Sequence, residues 1–498
     1  MLFNSEVFLF VFLPLTLAVF YMAGALRRIR VAVFLLVIAS LIYYAWWNPA
    51  YVPLILGSMV LNYLLGLALA GVVRRQQRRR AKLLLTLGVA GNLGALGYFK
   101  YAGFLVANLA AVGVTDMTPP DILLPLAISF FTFQQIAYLA DVYQDKVAEN
   151  NPLSYALFVT FFPQLIAGPI VHHSEMMPQF GDKSIGRFKL ANLLAGSAIF
   201  FIGLFKKVVI ADNIAPFANT VFRAAEAGAT VSFADAWAGS LSYSFQIYFD
   251  FSGYSDMALG IARMFGICLP INFNSPYKAT GIIDFWRRWH MTLSRFLRDY
   301  LYIPLGGNRL GQRRRYANMF VVMLLGGLWH GAGWTFVAWG ALHGLYLSIN
   351  HGWRAWRGEA RSDSVVARAS ATLLTFVLVV FAWVFFRAES FASALTIVTA
   401  MVSPPAVSPR ALLAGLTLDR EIVLRLALLG VIVAFLPNTQ QFMRRVMDPE
   451  FYRIRVDTRF TAWLVWGSNP ASACVVALFT ALAVMSLWQP SEFLYYQF

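Results

Sequence analysis

The chain has 498 residues, 59% hydrophobic and 13% charged, with a formal net charge of +16. A mean hydropathy of +0.63 excludes a single water-soluble globule, because soluble domains are about a quarter charged and still expose a large surface. Nucleic-acid binding is excluded too: the positive charge sits in clusters between apolar runs, at Arg27, Arg28 and Arg30, at Arg74, Arg75, Arg78, Arg79, Arg80 and Lys82, and at Arg313, Arg314 and Arg315, with no basic face on a soluble module.

The first apolar segment, 7–26, follows a start with no basic n-region. It reads as a retained membrane span, not a cleaved signal. Further apolar segments lie at 31–47, 51–73, 83–99, 121–140, 153–171, 190–211, 236–262, 317–349, 366–387, 421–437 and 471–488. The 317–349 stretch is long enough for two spans or a broken pair, which makes about 11–13 spans at about 20 residues each. Lipid satisfies no backbone polar group, so the expected fold class is an all-α polytopic membrane protein. The basic clusters after the first and third spans place those loops on the cytoplasmic side and the N-terminus outside. They also suit anionic lipid head groups. Trp47, Asn48 and Pro49 form the outer turn between the second and third spans.

Residues 264–316 are too rich in charges and aromatics to span. From Ile283 to Leu301, the residues Ile283, Trp286, His290, Leu293 and Leu297 recur at helical spacing, while Asp284, Arg287, Arg288, Arg295 and Arg298 fall largely elsewhere on the wheel. The pattern predicts an amphipathic helix at the cytoplasmic interface. Pro304, Gly306 and Gly307 end it. Cys268 and Cys474 are too few and too far apart for a zinc site or a disulfide framework.

Three of the six histidines lie in informative places. His330 has Leu328 and Trp329 before it and glycines on both sides, inside an apolar stretch. An ionisable ring there is costly and implies a cavity with a function. His290 follows Arg287, Arg288 and Trp289. Neighbouring positive charge keeps such a ring neutral, which suits a general base. His343 would sit roughly 20 Å from His330 if one helix continued through both, so a shared metal site is not expected. His172, His173 and His351 read as loop or interfacial residues. A polar run, Gln246, Tyr248, Asp250, Ser252, Tyr254 and Asp256, interrupts another apolar segment. It implies a water-accessible cavity or paired charges, and a buried ion-pair network is as good a reading as catalysis. The spacing of the two carboxylates does not put both on one helical face, and no GxSxG elbow, Walker loop or Rossmann fingerprint stands in a convincing context.

Together the segments Phe285-Trp286-Arg287-Arg288-Trp289-His290, Leu301-Tyr302-Ile303-Pro304-Leu305-Gly306-Gly307-Asn308-Arg309 and Gly326-Gly327-Leu328-Trp329-His330-Gly331 resemble the membrane-bound O-acyltransferases. Val7 to Pro14, Tyr44 to Trp47, Gly97 to Tyr101, Ala167 to Pro169, Tyr248 to Asp256 and Ser491 to Phe498 resemble the alginate O-acetyltransferase branch in particular. The resemblance implies one membrane domain over 1–498, a helical shell around a tunnel. Peripheral helices would occupy about 1–115, a catalytic core about 121–350 and C-terminal helices about 366–498. It makes His330 the catalytic histidine and His290 its signature partner. It also implies acetyl-CoA as a cytoplasmic donor with no permanently bound cofactor, a periplasmic acceptor protein, and exopolysaccharide O-acetylation at the bacterial inner membrane. Trp286, Trp289, Trp329 and Asn308 are candidates to hold the acyl carbonyl or orient the donor. Arg287, Arg288 and Arg298 suit its phosphates. Rival readings are a transporter or flippase of an acylated intermediate, an assembly scaffold, and a D-alanyl transferase for teichoic acid.

Overall fold

In a computed structural model the described residues are 1–147, 151–182, 185–358, 364–403, 420–447, 451–452, 470–492 and 494. They form helices and connecting turns, with no strand among them. Five helical stretches are long and apolar enough to cross a membrane: Val7–Ala25, Pro49–Arg74, Arg78–Ala111, Leu190–Glu226 and Val365–Arg387. Ile29–Ala45, Phe391–Val402 and Pro470–Met485 are shorter apolar helices. The described residues fall into two compact units.

The first unit contains Met1–Phe201 and Tyr254–Ile271. Its helices Leu13–Ala25 and Ile29–Ala45 pack together after a turn in which Arg27 adopts φ +58°. Helices Val52–Arg74 and Arg78–Leu96 are joined by the buried amide pair Asn62 and Asn92, whose side chains hydrogen-bond reciprocally at 3.2 and 2.6 Å. Gly66 lets Tyr138 of helix Ile128–Tyr143 approach closely. Small residues and polar pairs of this kind hold helices together in lipid, where no hydrophobic force does so.

Two expected spans break here. Residues 121–126 are non-helical and a helix starts only at Ile128, after Ala127 at φ +60°. The 153–171 segment divides into Pro152–Thr160 and Phe162–Leu165, because Phe161 leaves the helical region at ψ 106° and Pro163 follows. His173, expected on a loop or at an interface, is buried against Tyr138 and Phe158.

The second unit contains Ile202–Gly253, the residues from Asn272 to Met447, and the described residues after 469. Its centre is the antiparallel pair Gln312–His330 and Trp334–Arg357. The apolar 317–349 stretch thus breaks at Gly331–Gly333, where the backbone is extended. Glycines set the pair's spacing. A Cβ on Gly327 would collide with the Phe336 carbonyl oxygen, and one on Gly340 with that of Met323. Helix Val365–Arg387 packs on Trp334–Arg357 and brings Val379, Val380, Trp383, Val384 and Phe386 into the core with Trp339.

The expected amphipathic helix from Ile283 to Leu301 is instead two short helices, Ile282–Trp286 and Met291–Leu297, followed by a π-helical turn at Arg298–Tyr302. Asn272 competes for the backbone at the break. Its carbonyl accepts from Met291 N at 2.9 Å and its side chain from Thr292 N at 3.3 Å. Two amide hydrogens that a continuous helix would use internally are therefore taken by another segment. His290, at the break, adopts φ +41°, ψ 54°, a left-handed conformation costly for a side chain with a Cβ.

Candidate active site

His290 is fully buried. Its Nδ1 lies 3.0 Å from Asn272 Oδ1, which also accepts from Thr292 N at 3.3 Å and Thr292 Oγ1 at 2.9 Å. The backbone N–H of Thr292 can only donate, so the amide oxygen is correctly assigned and Nδ1 must carry the proton. Nε2 then keeps its lone pair, and no described group bonds to it. Burial pushes the imidazole down to about 3, so the ring is neutral at physiological pH. The Phe251 ring meets it edge-on at 4.8 Å.

His330 closes the Gln312–His330 helix and is 7% exposed. Its ring has three edge-to-face neighbours, Trp329 at 4.9 Å, Phe386 at 5.0 Å and Trp339 at 5.1 Å. The His290 and His330 ring centroids are 6.4 Å apart. A small cavity beside His330 is lined by Ile247, Asp250, Phe251, Trp289, Trp383, Phe386 and Leu494. Most of this lining is aromatic or aliphatic, which excludes water and strengthens any charge interaction inside.

His343 is nearer this centre than a continuous helix would allow. The chain turns back at Gly331–Gly333, and Trp339 lies 5.1 Å from His330 and 4.8 Å from His343. Trp286 Nε1 donates to His343 Nδ1 at 3.2 Å, which puts the His343 proton on Nε2. The structure thus brings Trp286, Trp289, Trp329, His290, His330 and Asp250 into one unit around one aromatic core.

Other expected residues fall elsewhere. Asn308 is exposed in the turn after Tyr302. The buried asparagine of that region is Asn318, which donates to the Leu305 and Gly307 carbonyls at 3.1 Å each. Arg287 is exposed. Arg288 pairs with Asp284 at 3.1 Å, and the exposed Arg298 pairs with Asp299 at 2.7 Å. Tyr248 is buried against Phe273, Tyr277 and Trp289. Gln246 Oε1 and Ser252 Oγ are buried without a described partner. Tyr254 and Asp256 belong to the first unit, where Tyr254 stacks on Phe3 at 4.6 Å.

Asp250 is held by a residue that sequence reading passed over. Lys207, 3% exposed in its side chain, pairs with Asp250 and, at 2.8 Å, with Asp212. It lies in a π-helical turn, Lys206–Ala211, and also donates to the Glu492 carbonyl. The Glu492 carboxylate accepts from Asn219 at 3.0 and 3.1 Å, and Asn219 accepts from Arg387 at 2.9 Å. The signal was present: an ionisable residue inside the apolar 190–211 segment demands a partner. Asn272, Trp339, Trp383 and Phe386 gave no such signal, because their roles depend on contacts remote in sequence.

The apolar helices and the buried His290, His330 and His343 describe a multi-pass helical membrane protein with a buried histidine centre. Residues 146–395 match the model of the MBOAT, membrane-bound O-acyltransferase, family, and the chain belongs to that family. It is 49% identical to a peptidoglycan O-acetyltransferase of Helicobacter pylori, over 82% of this chain and 81% of that protein. It is 39% identical, over 100% of both chains, to the "Probable alginate O-acetylase AlgI" of Pseudomonas putida. A teichoic acid D-alanyltransferase of Streptococcus thermophilus is 29% identical over 46% of this chain and 57% of its own. The protein is an enzyme, a membrane O-acetyltransferase of the type these first two relatives represent.

Proposed function

We propose that the enzyme takes an acetyl group from acetyl-CoA on the cytoplasmic side of the bacterial inner membrane and delivers it to a periplasmic acceptor protein, which modifies an exopolysaccharide. An alginate-like polymer or cellulose is the polymer proposed, and the name of the Helicobacter pylori relative adds peptidoglycan as a glycan to test. The N-terminus lies on the periplasmic side in this reading, and lipids surround the helical shell. The observation that supports it is the close approach of two buried histidines, His290 and His330, with ring centroids 6.4 Å apart, His330 lying on a small cavity lined mostly by aromatic rings.

The chemistry is a direct acyl transfer. A hydroxyl oxygen of the acceptor attacks the thioester carbonyl while His330 takes the hydroxyl proton. The new C–O bond forms, the C–S bond breaks, and the thiolate leaves, receiving the proton from His330. His290, a neutral ring with its tautomer fixed by Asn272, orients the reacting groups. The Lys207–Asp250 pair supplies a neutralised polar edge to the cavity.

Purified full-length protein given labelled acetyl-CoA and the periplasmic acceptor is expected to move the label onto acceptor hydroxyls. Label that stays on CoA, with efficient transfer from an acyl carrier protein instead, would overturn the donor assignment. Movement of intact substrate across a vesicle membrane without exchange of the acyl bond would favour a transporter.

A further inference from the structure

Two of the three arginines that the sequence offers for phosphate contacts are neutralised by neighbours, Arg288 by Asp284 and Arg298 by Asp299. Among the described residues, positive charge with no carboxylate partner lies at the other end of the histidine-bearing helix pair. Arg315, in the first turn of Gln312–His330, places Nη2 2.7 Å from His351 Nδ1 on Trp334–Arg357. A guanidinium has no acceptor, so His351 Nδ1 is the acceptor and Nε2 carries the proton. His351 is therefore a neutral donor beside a cation. Half-burial and the charges of Arg315, Arg354 and Arg287 hold its imidazole down to about 4. Among the described residues no carboxylate pairs with Arg287, Arg315 or Arg354. The first turn of the Gln312–His330 helix adds the partial positive charge of its unpaired amides.

Apart from His351 Nδ1, whose lone pair Arg315 already occupies, the side-chain groups of this cluster only donate. Like charges held together without a counter-ion cost free energy that an anion would recover, and guanidinium forks match the oxygens of a phosphate. We propose that Arg315, His351, Arg354 and Arg287 form a binding site for a phosphate group. The group comes either from the nucleotide part of a coenzyme A donor or from an anionic lipid head group. In its donor form the proposal rests on the acetyl-CoA reading above. The site lies on the polar ends of the two helices that carry His330 and the glycine contacts, so an occupant would brace the catalytic pair.

The test uses the full-length enzyme in phosphatidylcholine nanodiscs. One arm titrates adenosine 3′,5′-bisphosphate and measures the Kd by calorimetry. The other replaces part of the lipid with phosphatidylglycerol and counts retained lipid by native mass spectrometry. In both arms the His351 ring, carbon-13 labelled, is followed by NMR, because a nearby phosphate should raise its protonation midpoint. The exposed Arg354→Gln protects against misfolding, and Arg315→Gln tests the inner contact. Loss of one charged contact should weaken binding about tenfold, with partial recovery in Arg354→Lys. Bisphosphate binding with that loss supports the site with a soluble source. Selective phosphatidylglycerol retention with that loss supports it with a lipid source. Equal affinity in both arms for wild type and variants, with an unmoved His351 midpoint, overturns it. If acetyl-CoA fails as donor while bisphosphate still binds and the variants lose it, the donor reading falls and the site stands. If acetyl-CoA is the donor and its KM is unchanged in both variants, the donor form falls.

Discussion

His330 and His290 are held in opposite ways. His330 ends a helix and is walled by three aromatic rings, its place set by glycines that let two helices touch. His290 sits in a left-handed break and is set by a single amide, Asn272, which accepts from three donors. One is positioned by packing along a helix pair, the other by hydrogen bonds to a remote segment. In the proposed mechanism the two do different work: the packed ring takes the substrate proton, and the hydrogen-bonded ring, with a fixed tautomer, orients.

That comparison can be broken from either side. The largest expected effect comes from the packing side. Gly340→Leu drives a side chain into the Met323 carbonyl and Leu324, so it should cost about 3 kcal/mol and abolish transfer, read by thermal unfolding in detergent and by turnover. Asn272→Ala comes next. It removes the acceptor shared by His290 Nδ1 and Thr292, taking from the buried His290 Nδ1–H its acceptor at a cost of about 2 kcal/mol. Turnover should fall with little change in helix content by circular dichroism. Thr292→Val deletes one of those donors in a nearly isosteric way and should cost about 1 kcal/mol, with transfer largely kept. If Thr292→Val lost as much activity as Asn272→Ala, the hydrogen bond to His290 would not be the decisive one.

The smallest effect near neutrality is that of pH. The His290 midpoint is about 3 in the folded state against 6.5 for the free side chain. Between those values the unfolded chain binds more protons, so this group's contribution to stability rises with pH across that window. It is fully present above about 6.5 and is lost as pH falls towards about 3. Asn272→Asp, which places a carboxylate beside Nδ1, should raise the folded-state midpoint and narrow that window from below in a pH series of melting temperatures.

Much of this was legible in the sequence. Long apolar segments fixed the helical class, and His330 stood out because an ionisable ring between apolar residues needs a reason. Its turn at Gly331–Gly333 was half legible, as a stretch long enough to break. The His290 region departs from its sequence pattern: side-chain periodicity from Ile283 to Leu301 is helical, but the backbone partner that interrupts it, Asn272, lies outside any local pattern. Asn308 looked like a site residue because of its motif, yet Asn318 is the one buried against that turn. Lys207 was visible as a cation in an apolar run, but its pairing with Asp250 joins distant parts of the sequence. Local rules read helices and costly residues, and they cannot say which remote groups meet.

The most direct test of the account is the transfer of labelled acetyl by the His330→Ala enzyme beside wild type and His290→Ala. The account predicts that His330→Ala folds, retains donor binding and loses turnover by a factor of about 10²–10⁴, the share general base catalysis typically supplies, while His290→Ala loses less. Wild-type turnover by His330→Ala would contradict it.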